Sequence, residues 1–471
     1  MPLKKKGIHW YLTDEEVKFI REQLADMRTQ MNYVPGKWCL SGLNRKPEVL
    51  GFALPDNMPK KVLLRDITLR TAVQVKGVSL TFAERLRLLR ALAELGITSF
   101  QLSMAGSARG YAMEQIREEV KLCKSLNPEA EIELGGVTTK EGIDQLVEMG
   151  INCASIQGPA NYAISPFYGG GELASLTWEG KDWRKLANPP KSLKELVARN
   201  KPLIDYGHKR GIKIKAGLNM LHWATEEVIE SFTREMGNAG ADYVCLHDGP
   251  GGMTPQAIGF AVTIARKAAP NAKIGVHLHN SFELGIARAL VAVQAGATMV
   301  ECRVNGLDSL GGGGVDLQVF AAALELLYRV DTGLRLEQFT ALRRLGEDIF
   351  RYPVRRNHSI TGEEYFPIPP DIEVSIDPLV HTTVHPSVFG NKWESHIGSI
   401  THNFSMLDKL VELGIPVEKS EVEAIAREAR AEATIRKRSL TDDEVREIAM
   451  RVKGTTQRLF GSHIKTGRKK E

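Results

Sequence analysis

The chain has 471 residues, 43% hydrophobic and 25% charged, with 62 Lys plus Arg against 57 Asp plus Glu and a net charge of +5. These proportions suit a globular protein with a large core. Part of the positive excess sits in the tails, at Lys4, Lys5 and Lys6 and at Lys465, Arg468, Lys469 and Lys470. Elsewhere no basic stripe carries interleaved aromatics, so nucleic acid is not an expected partner. No apolar run reaches the roughly 20 residues of a membrane helix, and MPLKKKGIHWYL lacks the apolar core of a signal peptide. Five cysteines (Cys39, Cys123, Cys153, Cys245, Cys302) form no Cys-x-x-Cys pair. They read as reduced thiols of a cytoplasmic protein.

In chain order, residues 1–60 form an N-terminal extension holding a charged helix, Asp14–Met31, and a stretch punctuated by Pro and Gly. From about 62 to 330, short β-like runs alternate with amphipathic helical patterns. The runs cover 62–70, 97–104, 131–137, 151–157, 212–219, 242–248, 273–280 and 298–305. The helical stretches include Thr81–Leu95, Leu193–Lys209, Pro255–Lys267 and Phe282–Ala295. Thr81, Thr139, Thr225 and Thr254 stand at helix starts, and Gly96, Gly150, Gly211, Gly240 and Gly296 at helix ends. Eight β–α units in about 270 residues predict an α/β fold, a TIM (β/α)8 barrel over 61–332. Periodicity alone also allows an open doubly wound sheet. A connection of unusual length, 160–191, follows the fourth strand and is expected to act as a lid over the barrel mouth. Residues 333–471 are expected to form a mainly helical C-terminal subdomain, with a Pro-rich, His-containing segment at 355–402 and two charged helices from about 405 to 453.

The sharpest local feature is Gly275-Val276-His277-Leu278-His279-Asn280 at the end of strand seven. Residues two apart on a strand share a face, so His277 and His279 are placed together in the barrel mouth, as ligands of a divalent ion or as hydrogen-bonded core histidines. Strand one ends Arg65-Asp66-Ile67-Thr68-Leu69-Arg70. Arg70 there is suited to grip a carboxylate or a developing oxyanion, or to form an ion pair at the rim. Strand six ends in His247, with Asp248 placed to orient it or to cap the following loop. The glycine runs Gly249–Gly252 and Gly311–Gly314 offer backbone N–H groups to an anion, or simply allow tight loops.

These residues resemble the pyruvate-carboxyltransferase-type barrels, the DRE-TIM metallolyases. They include isopropylmalate, homocitrate and citramalate synthases, hydroxymethylglutaryl-CoA lyase, 4-hydroxy-2-oxovalerate aldolase and the carboxyltransferase domain of pyruvate carboxylase. Four stretches carry the likeness: Asp66–Arg70 with Gly77–Thr81 and Leu92–Gly96; Asp248 through Pro255; Gly275–Asn280 with Ala292–Ala297 and Asn305–Leu307; and Leu407–Ala429 with Leu440–Glu444. The resemblance places His277 and His279 on the family's metal-binding histidines and Arg70 on its catalytic arginine. The family's metal-binding Asp is replaced by Thr71, the glycine after it by Ala72, the strand-two Glu by Gln101 and a late Asn by Gly314. A three-histidine site of His247, His277 and His279 is therefore the expected centre for a divalent metal (Zn, Mn, Mg, Fe or Co). Asp66 is its expected base or hydrogen-bonding partner, and Thr71, Gln74 and Gln101 are expected substrate contacts. One of His385, His396 or His402, His396 foremost, is a candidate general acid or base reaching a neighbouring subunit of a homodimer or larger assembly, or these are surface or structural histidines. The resemblance implies a carbon–carbon lyase, aldolase or Claisen-type condensing enzyme on a 2-oxo acid or related carboxylate, with an acyl-CoA among the candidate second substrates. It also implies no terminal amino-acid-sensing domain. A metal-dependent hydrolase or decarboxylase and a catalytically silent binding relative remain open alternatives.

Overall fold

The structure is a computed structural model and describes residues 12–45, 58–104, 113–137, 139–160, 192–309, 312–366, 377–393 and 396–464. It divides into two compact units: Met1–Leu43 with Arg356–Glu471, and Asn44–Arg355. The three consecutive parts expected from the sequence are thus regrouped. The N-terminal helix clusters with the C-terminal segment, and the helix Phe339–Phe350 belongs with the barrel.

In the first unit, helix Asp14–Arg28 is fixed at its start by a capping box. The Glu16 N–H donates to Thr13 Oγ1 (3.2 Å) and the Thr13 N–H donates to Glu16 Oε2 (2.7 Å). A hairpin of Asn32–Val34 and Trp38–Leu40 follows. The Cys39 N–H donates to the Thr383 carbonyl (2.8 Å) and the His385 N–H to the Lys37 carbonyl (2.7 Å), so distant segments close one edge of the hairpin. Helices Asn403–Glu412, Lys419–Arg436 and Asp442–Ile464 then pack Leu407, Leu410, Ile425, Ala429, Val445 and Ile448 into a separate core.

The second unit is the barrel. Its strands are β1 (Leu63–Asp66), β2 (Ser99–Met104), β3 (Glu131–Gly135), β4 (Cys153–Pro159), β5 (Lys213–Asn219), β6 (Tyr243–Asp248), β7 (Lys273–Leu278) and β8 (Met299–Cys302). All pair in parallel, and β8 pairs with β1, which closes the ring and removes the open-sheet alternative. Each expected strand is present. The local code is consistent: Thr81 and Glu84 form a capping box on helix Phe82–Leu95, and Thr254 with Pro255 starts helix Pro255–Ala268. The strand ends differ from expectation. β1 stops at Asp66 because Ile67 leaves extended geometry (φ −123°, ψ 14°), and Thr68–Thr71 makes a helical turn. Arg70 therefore rides on a turn above the strand.

Two buried polar systems hold this architecture. Along the barrel axis, Glu301 pairs with Lys215, Lys215 with Glu133 (2.7 Å), Glu133 with Arg65, and Arg65 with Glu131. Burial opposes charge on Lys215, yet Glu133 and Glu301 outweigh it and push its pKa up, so it is an ammonium ion. Outside the ring, Arg85 is fully buried, pairs with Glu119, and donates to the carbonyls of Leu69 (3.1 Å) and Leu102 (3.2 Å). This anchors the turn that carries Arg70. Removing one partner of such a pair strands a buried charge, so Glu119→Ala is expected to lower unfolding free energy by about 3–5 kcal/mol in chemical denaturation.

Candidate active site

The C-terminal ends of β6, β7 and β8 bring three imidazoles together. His247 and His277 are register neighbours on β6 and β7, with ring centroids 4.9 Å apart and 27° between planes. His279 lies just past β7, in an isolated bridge with Gly314, its Nε2 3.2 Å from His277 Nε2. His277 Nδ1 contacts Glu301 Oε2 (2.6 Å). Burial works against ionisation of Glu301, but Lys215 and His277 outweigh it and hold the carboxyl well below its usual range. An ionised Glu301 accepts a hydrogen bond from the Nδ1–H of His277 and leaves Nε2 as the lone-pair nitrogen.

That lone pair is already engaged. Arg303, extended just after β8 (φ −133°, ψ 141°), places Nη2 3.0 Å from His277 Nε2. Its Nε donates to Asp308 (2.9 Å) and its Nη1 to the carbonyls of Leu278 (3.2 Å) and Glu301 (3.1 Å). The guanidinium is fully buried. Desolvation first, then the Arg303 charge, drives the His277 pKa well down, so the ring is neutral. Asp308 is drawn below its ordinary value because Arg303 and His279 outweigh the effect of burial.

The neighbouring loop is cut to make room. A Cβ at Gly314 would fall 2.4 Å from Arg303 Nε and 2.5 Å from its Cζ. The position where the family resemblance expects an Asn is therefore a glycine that Arg303 leans across. Thr71, at the position of the family's metal-binding Asp, has its hydroxyl between the carbonyls of Ile67 (3.3 Å) and Leu307 (3.4 Å). Among the described residues no group of three or more His, Cys, Asp or Glu is arranged to hold a metal ion. His247 Nε2 is buried beside Gly217 and Gln157, without a hydrogen-bond partner among the described residues, while His277 Nε2 points its lone pair at a cation. With Arg303 hydrogen-bonded to the lone pair that His277 would turn to a metal, the residues as arranged do not fit a divalent ion held by the expected His247, His277 and His279.

The other expected residues are distributed as follows. Arg70 is half-buried on its turn, and its charge, after burial and Lys215 and against the opposing Glu301, contributes to a His247 pKa pushed down to about 3. Asp66 is buried beneath that turn and accepts from the Thr68 N–H (3.1 Å) and hydroxyl (2.6 Å). Thr68 Oγ1 in turn accepts from the Val304 N–H (2.9 Å). Gln74 is half-buried on the following 3-10 turn. Gln101 donates to Glu133 and so belongs to the axial network. Asp248 takes the loop-capping role, accepting from the Gly252 (3.1 Å) and Met253 (3.3 Å) N–H groups. The Gly249–Gly252 turn gives the Gly251 carbonyl to Arg288 (2.7 Å), which also binds the His279 carbonyl (3.1 Å) and locks both loops. His396 is exposed and belongs to the other unit. In that unit His385, its Nε2 accepting from Trp393 (3.2 Å), serves a local turn. The expected lid at 160–191, from residue 161 on, and Gly311 of the second glycine run lie outside the described residues.

Sequence reasoning missed Glu301, Arg303, Asp308, Lys215 and Arg288. A signal was present for the first two. Glu301 and Arg303 are two residues apart at the end of a strand, the same spacing that singled out His277 and His279.

Residues 186–345 match the HMGL-like family. The likeness extends well beyond that segment. The 2-isopropylmalate synthase of Methanocaldococcus jannaschii is 28% identical over 416 residues, covering 86% of this chain and 75% of that one. A homocitrate synthase of Saccharolobus islandicus is 26% identical over 398 residues, covering 84% and 81%. Among solved structures, an HMG-CoA lyase from Bacillus subtilis aligns with a TM-score of 0.53 at 16% identity, covering 64% of this chain and 97% of that chain. An HMG-CoA lyase from Acinetobacter baumannii, in complex with coenzyme A and 3-methylmalate, gives 0.52 at 13%, covering 67% and 100%. At these identities the structures establish the barrel fold, while the sequence relatives are carbon–carbon bond enzymes by name. No helix among the described residues is long and apolar enough to cross a membrane.

Burial raises the Asp66 pKa to about 7, against the opposing hydrogen bonds from Thr68 and the charge of Arg303. At pH 5–6 the folded state thus keeps a proton that the unfolded chain has released, and stability from this group is lost as pH rises from about 4 through about 7. Asp66→Asn cannot titrate. Relative to wild type, its unfolding free energy is expected to gain on the order of 4 kcal/mol between pH 4 and pH 8, measured by denaturant titration at each pH.

Proposed function

We propose that this barrel mouth makes or breaks a carbon–carbon bond beside the carbonyl of a 2-oxo acid or a related carboxylated substrate. The observation that carries the reading is the concentration of Arg70, Arg303 and three imidazoles at the ends of adjoining strands in an HMGL-like barrel. Such a mouth is electropositive and rich in N–H donors. It suits a substrate that brings one carboxylate and develops a second negative charge on its carbonyl oxygen.

The roles follow from position. Arg70, on a turn anchored by Arg85, binds the carboxylate or the developing enolate oxygen. His247, with its pKa pushed down to about 3, is neutral at physiological pH and serves the substrate as a hydrogen-bonding partner rather than as a proton carrier. Lys215 is unsuited to imine chemistry, since two carboxylates keep its nitrogen protonated. An acyl-CoA is the natural electrophile in the condensing direction, by analogy with the relatives named synthases. In the cleaving direction the same mouth holds the departing enolate.

The test is a panel of 2-oxo acids (pyruvate, 2-oxoisovalerate, 2-oxoglutarate), with and without acetyl-CoA. Thermal protection reports binding, and thiol release or consumption of the oxo acid reports turnover. At least one oxo acid is expected to protect the protein, and Arg70→Ala is expected to lower turnover by about 10²-fold or more. Protection by none of these acids sinks the reading.

A further inference from the structure

The disagreement between the family's metal ligands and the residues at this site has a structural form of its own. We propose that the Arg303 guanidinium occupies the seat of the divalent ion, so that this barrel binds its carboxylated substrate without a metal. The proposal rests on the carbon–carbon reading above only for the identity of the substrate.

Three observations converge. First, the nitrogen that would ligate the ion, His277 Nε2, accepts a hydrogen bond from Arg303 Nη2 at 3.0 Å, and His279 Nε2 lies 3.2 Å from it. Second, Asp308, a carboxylate in the same loop cluster, is spent on Arg303 Nε at 2.9 Å rather than on an ion. Third, neither position where the family resemblance expects an oxygen ligand carries a carboxylate or amide in this chain. Thr71 turns its hydroxyl to backbone carbonyls, and Gly314 removes a side chain whose first carbon would collide with Arg303.

A guanidinium differs from a metal in kind. It offers hydrogen bonds and a single delocalised charge, and it accepts no electron pair. A buried arginine stays charged, so the site keeps positive potential at any working pH without exchange with solution. Arg303 here is a positioning residue: it holds His277 Nε2 opposite the Glu301 contact at Nδ1 and supplies charge, while Arg70 and His247 are left for the substrate.

The arrangement also predicts what lies beneath the plug. Withdrawing Arg303 frees the lone pair of His277 beside His279 Nε2, 3.2 Å away, a pair of imidazoles whose remaining ligands water would supply. Arg303→Ala is therefore expected to gain a metal site.

Metal content and calorimetric titration with Zn2+, Mn2+ and Co2+ test this directly. The purified wild-type chain is expected to hold less than about 0.1 metal per chain and to bind none on titration. Arg303→Ala is expected to take up about one, with a Co2+ d–d absorption band that disappears in Arg303→Ala/His277→Ala. One tightly held ion in the wild type, lost in His277→Ala, overturns the proposal. So does a folded Arg303→Ala that stays metal-free. Folding of each variant is checked by thermal melting, and Arg303→Met provides a second, volume-preserving variant expected to gain the same site. Thermal protection by the 2-oxo acids is then measured in EDTA. Protection of the wild type that EDTA leaves unchanged supports metal-free binding, and protection abolished by EDTA overturns it. If no oxo acid protects under any condition, the substrate reading fails while the metal-gain result still decides the role of Arg303.

Discussion

The chain of buried charges along the barrel axis is the constraint on which the rest depends. Arg65 and Lys215, with Lys213 at the exposed end, face Glu131, Glu133 and Glu301 from four different strands, three cations against three carboxylates. An interior built this way gives up hydrophobic packing for register, because each ion pair closes only when the strands stand at one relative height. Glu301 ends the chain by holding His277 Nδ1, so the tautomer at the mouth is set by charges that run down into the barrel. The position of His277 and the closure of the ring are thus one problem with one solution.

A second clamp acts from outside the ring. Arg85 ties the carbonyls of Leu69 and Leu102 to helix Phe82–Leu95, and Arg288 ties the loops after β6 and β7 to each other through the carbonyls of Gly251, Met253 and His279. Both arginines are fully buried and spend their donors largely on backbone oxygen. Loops at a barrel mouth are free to vary in sequence only where something else fixes their path. Here buried guanidinium groups fix it, which lets glycine-rich segments hold the side chains of the barrel mouth in place.

The fold was legible because alternation, helix caps and glycine stops agree along 62–330, and eight parallel strands have few other ways to bury both faces. Strand ends were less legible. Nothing in Arg65–Arg70 announces that Ile67 leaves the extended region, so Arg70 was placed on a strand rather than on the turn it occupies. At the site, His277 and His279 declared themselves by spacing, whereas the meaning of Arg303 required knowing that Gly314, eleven residues on, folds back against it. That contact is made by a loop and leaves no periodic trace. The regrouping of residues 12–43 with the C-terminal unit escaped for the same reason: a hairpin edge is completed by Thr383 and His385, more than 300 residues away.

Gly314 and Arg303 exclude each other's alternatives, and this gives their history a direction. While the long side chain is present, no residue with a Cβ fits at 314, so any lineage carrying the arginine is held at glycine there. A side chain gained at 314 must be preceded by shortening at 303. The two positions therefore drift as a pair in a fixed order. A survey of relatives should find arginine at 303 only beside glycine at 314, while glycine at 314 is free to occur alone.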